Sequence, residues 1–212
     1  MSVDEEWLEF NNKMLLFQSK KRPFKYDSKT GIGILGVSRD ITNLYEIQKK
    51  FEEQATVDEL TKAYNRKYFN ERLIEKIEMF KRYESEFCIA LLDIDDFKVV
   101  NDSFGHDVGD IVLIKVCQII KQNIRNTDIL FRIGGEEFVI LYPKTAINEA
   151  YFATEKIRNL IKNETIIENR KITISIGLSQ IKHNDTEESF FKRVDELMYL
   201  SKKSGKDKVT ID

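Results

Sequence analysis

Cysteine, proline and glycine are scarce in this chain: 2, 2 and 9 of 212 residues. Cys88 and Cys117 sit in apolar stretches, without a C-x-x-C partner or a His at ligand spacing. That excludes a disulfide framework and a cysteine-based zinc site. Both thiols read as core residues in a reducing compartment. So little Gly and Pro excludes collagen-like and low-complexity character. An excess of one charge sign is missing as well: 34 Lys and Arg face 36 Asp and Glu, for a net -2. No global basic field exists for nucleic acid. Long hydrophobic runs are also missing. The longest, residues 111–120, is interrupted by Lys115 and Gln118, well short of the roughly 20 residues a membrane helix needs. The N-terminus, MSVDEEWLEF, is acidic and has no signal-peptide core. The expectation is a cytoplasmic chain with no membrane contact and no nucleic-acid partner.

What is present is core-forming material: 42% hydrophobic residues, with 14 Phe and 8 Tyr. At roughly 100–200 residues per domain, the length suits one full domain and a smaller piece. Residues 1–40 read as the smaller piece, with a strand-rich stretch over 14–24, a turn cluster over 26–31 and a strand over 32–37. At most two strands make a poor independent core. Residues 41–57 read as a linker helix, with Ile41, Leu44, Ile47 and Phe51 on one stripe. The stripe suits either a short coiled coil or packing on a neighbouring domain.

From residue 58 to 212 the pattern is a mixed α/β domain. It reads as helix 65–83, buried strand 87–94, helix 108–124, strands 128–133 and 137–142, helix 146–162, strand 171–179, helix 188–204 and strand 208–211. Gly134-Gly135-Glu136 joins two of the strands as a hairpin. Helices packed on an antiparallel-containing sheet define an α+β fold.

Five segments carry chemistry. The first strand ends in Asp93-Ile94-Asp95-Asp96. Carboxylates at a strand end suit Mg²⁺, a hard cation that shares oxygen ligands with nucleotide phosphates; the plain alternative is an acidic surface turn. At Gly134-Gly135-Glu136-Glu137-Phe138 the glycines permit a tight turn with positive φ and close approach of a ligand to Gly135. Strand pairing would set Glu136 beside Asp93; otherwise this is an ordinary hairpin. In the segment 98–110, Asn101, His106 and Asp110 are hydrogen-bonding groups around a helix start, and an Asp there suits the Watson–Crick edge of guanine. A helix N-cap for Asp110 and a loop role for His106 are the alternatives. Lys202, Lys203, Lys206 and Lys208 cluster at a helix end, either solvated or gripping a triphosphate. Arg125 and Asp128 form either a surface ion pair or a grip on a phosphate and a guanine.

Taken together, these segments resemble the GGDEF family of diguanylate cyclases. The central motif appears as GGEEF over 134–138. Upstream, Asp58-Glu59-Leu60-Thr61 with Asn65-Arg66 resembles the family's opening motif, with Lys62 where Gly is usual. Asp93 to His106 and Tyr199 to Lys208 resemble two further motifs; in the latter, Ser201, Lys206 and Asp207 replace Ala, Arg and Asn. The resemblance runs from Asp58 to the C-terminus.

It implies a nucleotide-cyclase or polymerase palm-like fold, with a mixed, mostly antiparallel sheet flanked by helices. It implies that two GTP condense into cyclic di-GMP with loss of two pyrophosphates. By similarity, Asp93, the Ile94 carbonyl and Glu136 hold Mg²⁺ or Mn²⁺. Asn101, His106 and Asp110 hold the nucleoside, while Lys202, Lys206, Gly135 and the main-chain N–H groups of Phe97 and Lys98 hold phosphates. Lys206 keeps the charge of the family's Arg but not its bidentate fork. Glu136 or Glu137 takes the proton of the attacking 3′-hydroxyl, with Glu136 preferred. Two protomers must face each other, so a homodimer is required. Arg125 and Asp128 match the family's R-x-x-D inhibitory site for the product. Residues 20–42 resemble the last strands of a PAS sensor module. The competing readings are a catalytically inactive cyclic di-GMP receptor and a palm-type transferase acting on nucleic acid.

Overall fold

The computed structural model describes residues 3–11, 13–25, 32–54 and 56–212. The expected turn cluster at 26–31 lies outside them. The chain divides into two compact units, residues 1–55 and 56–212.

The first unit is an antiparallel meander of β1 (Val3–Phe10), β2 (Lys13–Lys25) and β3 (Ile32–Asp40), followed by α1 (Thr42–Gln54). β2 is long enough to pair with β1 along its first half and with β3 along its second. The sequence reading expected at most two strands and missed β1, whose acidic residues mask its alternation. α1 docks through Trp7 and Tyr45, whose rings meet edge to face at 5.5 Å. Its start is tied down where the Leu16 N–H donates to Thr42 Oγ1 at 2.8 Å and the Thr42 N–H donates to Asp40 at 2.9 Å. Leu16 is buried, whereas Ile34, Leu35, Val37, Leu44 and Phe51 are exposed.

The second unit is a six-stranded mixed sheet with helices on both faces. Its elements are β4 (Tyr64–Asn65), α2 (Arg66–Tyr83), β5 (Phe87–Ile94), α3 (Phe97–Phe104), α4 (His106–Asn123), β6 (Ile129–Arg132), β7 (Glu137–Pro143), α5 (Ile147–Asn163), β8 (Ile174–Gln180), α6 (Glu187–Lys203) and β9 (Lys208–Ile211). Strand order is β4-β6-β7-β5-β8-β9, with parallel pairs at the two edges and antiparallel pairs between. The α+β expectation is met.

β5 lies in the middle and is buried along its whole length. Its alternate residues feed two cores. Cys88, Ala90, Leu92 and Ile94 face α3, α4 and α5, while Phe87, Ile89 and Leu91 face α2 and α6. Both cysteines are buried and free, and burial pushes the Cys88 thiol up to about 12.

Two elements depart from the expected boundaries. α3 was not anticipated; it is one short helix stopped at Gly105, whose φ of 86° ends it and restarts the chain as α4. α4 therefore begins at His106 rather than 108, and Asp110 lies inside the helix, which removes the N-cap alternative. Among the described residues, no helix is long and apolar enough to cross a membrane.

Candidate active site

Asp93 is carried inward by β5, and its side chain is only 8% exposed. Burial pushes its carboxyl up to about 6; a hydrogen bond and the charge of Lys202 oppose this, while the charges of Glu136 and Glu137 add to it. Lys202 Nζ, on the last turn of α6, stands 2.7 Å from Asp93 Oδ2.

The β5–β7 register sets Asp93 directly across from Glu137, not Glu136 as expected. The hairpin closes where the Ile133 N–H donates to the Glu137 carbonyl at 3.0 Å, leaving Glu136 one residue further, in the turn. The Glu136 carboxylate still bears on Asp93 electrostatically.

The glycines work differently from expectation: neither Gly134 nor Gly135 adopts positive φ. A Cβ at Gly134 would stand 2.6 Å from Glu137 Oε2, the free end of a flexible side chain that can swing aside, so space does not demand glycine there. Gly135 offers its carbonyl, which accepts from Arg132 Nε at 3.0 Å and Nη2 at 2.8 Å. Arg132 then spans to Asp58, with Nη1 donating to Oδ1 at 3.1 Å and Oδ2 at 3.3 Å. Burial pushes the Asp58 carboxyl up, but hydrogen bonds from Thr61 and Arg132 outweigh it and hold the group below the usual carboxylate range.

Sequence reasoning missed Arg132. Its place two residues before the glycine pair was visible. Its partner, 74 positions away, was not.

The other carboxylates of the acidic segment are already engaged. Asp95 is buried and accepts from Ser175 Oγ at 2.6 Å, Thr173 Oγ1 at 2.7 Å and the Asp207 N–H at 3.2 Å. It braces β8 and the 206–207 turn, and is no ligand candidate. Asp96 opens α3 at φ 55° and accepts from Lys206 Nζ at 2.6 Å. Phe97 is buried, so only its main chain can serve a ligand, while Lys98 is exposed. Their N–H groups lie in the first turn of α3, where a helix supplies no internal acceptor.

Asn101 Oδ1 is buried with no hydrogen-bond partner. A Cβ at Gly109 would stand 2.0 Å from it, so a glycine is required for α3 to lie this close to α4. A buried acceptor lacking a donor is costly, which is a reason to look for a ligand N–H at that place. His106 and Asp110 lie one turn apart, both exposed, on α4.

At the far end of β6 from the hairpin, Asp128 Oδ2 accepts from the Arg125 N–H at 2.9 Å, and the Asp128 N–H donates to the Arg125 carbonyl at 3.0 Å. Burial pushes the Asp128 carboxyl up, against the Arg125 bond and charge. The Arg125 side chain is exposed. Both expected residues thus share one preformed turn.

A cavity of about 640 Å³ is lined by Glu137, Tyr199 and Lys202. A larger one of about 690 Å³, by Met79, Tyr83, Glu86 and Lys144, sits at the opposite end of β5 from Asp93. No group of three His, Cys, Asp or Glu among the described residues is spaced to hold a metal by itself. Asp93, the Glu136–Glu137 pair and nearby main-chain carbonyls are hard oxygen donors. They fit Mg²⁺, which keeps waters and takes phosphate oxygens to complete its shell.

A carboxylate-bearing hairpin against an acidic strand end, in a helix-covered mixed sheet, is a nucleotide-cyclase type of arrangement. The family model described as "Diguanylate cyclase, GGDEF domain" matches residues 55–208, and the chain belongs to that family. A Vibrio cholerae protein named diguanylate cyclase is 31% identical over 205 residues, which are 95% of this chain and 64% of that protein. The response regulator PleD of Caulobacter vibrioides is 38% identical over 163 residues, covering 74% of this chain and 36% of its own length. The coiled coil and GGDEF domain of DgcB from Caulobacter crescentus, solved in complex with c-di-GMP, matches with a TM-score of 0.73 at 29% identity, covering 81% of this chain and 93% of that one. The chain thus spans less than two thirds of the length of these curated relatives.

Proposed function

We propose that this chain is the catalytic part of a diguanylate cyclase, joining two GTP into cyclic di-GMP. In each half-reaction a 3′-hydroxyl oxygen bonds to the α-phosphorus of the other GTP, the α–β bridging P–O bond breaks, and pyrophosphate leaves. The hydroxyl proton passes to a carboxylate, for which we assign Glu136, with Glu137 as its neighbour. Asp93, Glu136 and the Ile94 carbonyl are the residues that would hold Mg²⁺ or Mn²⁺. When bound, the cation withdraws charge from the α-phosphate and the departing pyrophosphate. Lys202, Lys206, the Gly135 main chain and the first-turn N–H groups at Phe97 and Lys98 neutralise and position the phosphates. Asn101, His106 and Asp110 orient the nucleoside; the unpartnered Asn101 Oδ1 suits the N–H donors that guanine has on its Watson–Crick edge.

Each domain supplies one GTP, so turnover requires a homodimer. The Arg125–Asp128 turn is the site where product binds and inhibits. Residues 20–42 are the end of a PAS-like module, and the chemistry belongs to the cytoplasm, where GTP and Mg²⁺ are supplied.

The observation that carries this reading is the juxtaposition of Asp93 with the 134–137 hairpin, beside Lys202. Incubation with GTP and Mg²⁺ should yield cyclic di-GMP and pyrophosphate. Binding of cyclic di-GMP without any turnover of GTP would replace it with the receptor reading, which the preformed Arg125–Asp128 turn also serves.

A further inference from the structure

The two lysines assigned to the phosphates are not free. Lys202 Nζ stands 2.7 Å from Asp93 Oδ2, and Lys206 Nζ stands 2.6 Å from Asp96 Oδ1. The third carboxylate of the segment, Asp95, is tied to the same C-terminal turn through the Asp207 N–H. Asp93, Asp95 and Asp96 are thus each bonded to the 202–207 segment. Lys202 is the cation in ionic contact with Asp93, against the negative charges of Glu136 and Glu137. No three carboxylate, thiol or imidazole ligands converge among the described residues, so the protein alone offers a divalent cation a thin donor set.

We propose that Lys202, assisted by Lys206, is a stand-in cation: it occupies the Asp93 carboxylate until a nucleoside triphosphate draws it away, so that metal enters with nucleotide and not before it. This deepens the cyclase reading and rests on it. A divalent ion on Asp93 would lie within a few ångströms of the ammonium group, and two positive charges at that range in a buried site repel strongly. Asp93 can therefore bind the ammonium or the metal well, not both. A triphosphate removes the conflict. Its oxygens accept from Lys202, whose four-carbon stem lets the head group move, and they supply the ligands the protein lacks. The exchange also has a protective sense. Lys202 leaves no uncompensated carboxylate in the resting site, where one would otherwise cost stability.

The test is a titration of the full chain with Mn²⁺ alone, following free Mn²⁺ by electron paramagnetic resonance. The wild type should bind weakly without nucleotide. Lys202→Met and Lys202→Gln should each bind about tenfold more tightly, as expected from removing one unit of charge beside the site. Lys206→Met should show a smaller gain, and Asp93→Asn should lose the gain in the Lys202→Met background. Far-UV circular dichroism confirms that each variant is folded; Lys202 is 35% exposed at a helix end, so both replacements are accommodated. A gain below threefold in both Lys202 variants overturns the proposal. So does wild-type chain that binds Mn²⁺ as tightly as those variants. The cyclase reading is judged separately, by whether wild-type chain makes cyclic di-GMP from GTP and Mg²⁺. Product formation together with unchanged Mn²⁺ affinity removes the stand-in cation and leaves the cyclase.

Discussion

The two units break the ordinary rule of burial in opposite ways. The first carries apolar side chains on its outside: Ile34 is 72% exposed, Val37 67% and Phe51 69%. The second carries carboxylates on its inside, with Asp93 and Asp95 both buried. In the first unit the departure is spread over a sheet and a helix. In the second it is concentrated at the end of one strand, facing a hairpin and a lysine. A departure that is local, paired and electrostatically coupled is the mark of a chemical site; a diffuse one is not.

The largest effect should sharpen this contrast. Glu136→Ala should reduce cyclic di-GMP formation by at least about 100-fold, since a positioned acid–base group is worth that much. Chromatographic quantification of the product measures it, and activity within about tenfold of wild type would remove Glu136 from the mechanism.

Asp93→Asn should go the other way in stability. Burial raises the Asp93 carboxyl from 3.8 to about 6 in the folded chain. Folding therefore favours its protonated form. Stability should rise as pH falls through about 6, and the penalty is complete above that value. The Asn variant should gain about 1–3 kcal/mol at about pH 8 and nothing near pH 4, read from urea unfolding at both. A variant less stable than wild type at the higher pH would show that the Lys202 pair outweighs burial.

Arg132→Ala removes the brace between Gly135 and Asp58. It should cost about 1–2 kcal/mol of stability, because a partly buried arginine with several acceptors is lost. It should also slow turnover while leaving GTP affinity nearly unchanged, because Arg132 contacts the hairpin rather than the substrate. A melt and a KM against kcat comparison distinguish these.

Lys62→Gly is smaller and favourable. Lys62 sits at φ 57°, where glycine is unstrained. The gain should be about 0.5–1 kcal/mol, detectable as a raised Tm. Smallest of all, Ile34→Thr in the exposed sheet should stay within about 0.5 kcal/mol. A large loss there would break the comparison, because it would mean that the outer face of the first unit is packed after all.

Much of the second unit was legible because hydrophobic period is a local property. The first six residues of β5 form one apolar run, and α2, α5 and α6 repeat apolar residues at helical spacing. The hairpin was legible from its glycines, but the reason for them was not. Neither glycine takes positive φ, and Gly135 serves through its carbonyl, which accepts from Arg132. α3 escaped because eight residues with mixed polarity give too few repeats of the pattern. β1 escaped because a strand finds its stability in a partner across the ladder, here Lys13 to Lys20 of β2, rather than in its own residues.

The candidate site divides in the same way. Residue type marked Asp93, Glu136, Glu137, Lys202 and Lys206 as candidates, each with a plain alternative, and their roles came from the family resemblance of the motifs that hold them. The bracing parts played by Asp58, Arg132 and Asp95 came only from their partners in the structure.

The order of residues along the chain was enough to determine most elements of the second unit and the motifs, since local periodicity and residue chemistry need no third dimension; the split into two cores came from the structure. Only the tertiary structure decided that Asp93 faces Glu137 rather than Glu136, that Lys202 rests on Asp93, and that Asn101 is left without a donor. Those outcomes depend on strand register and helix docking, which are settled by how distant segments share one packed volume.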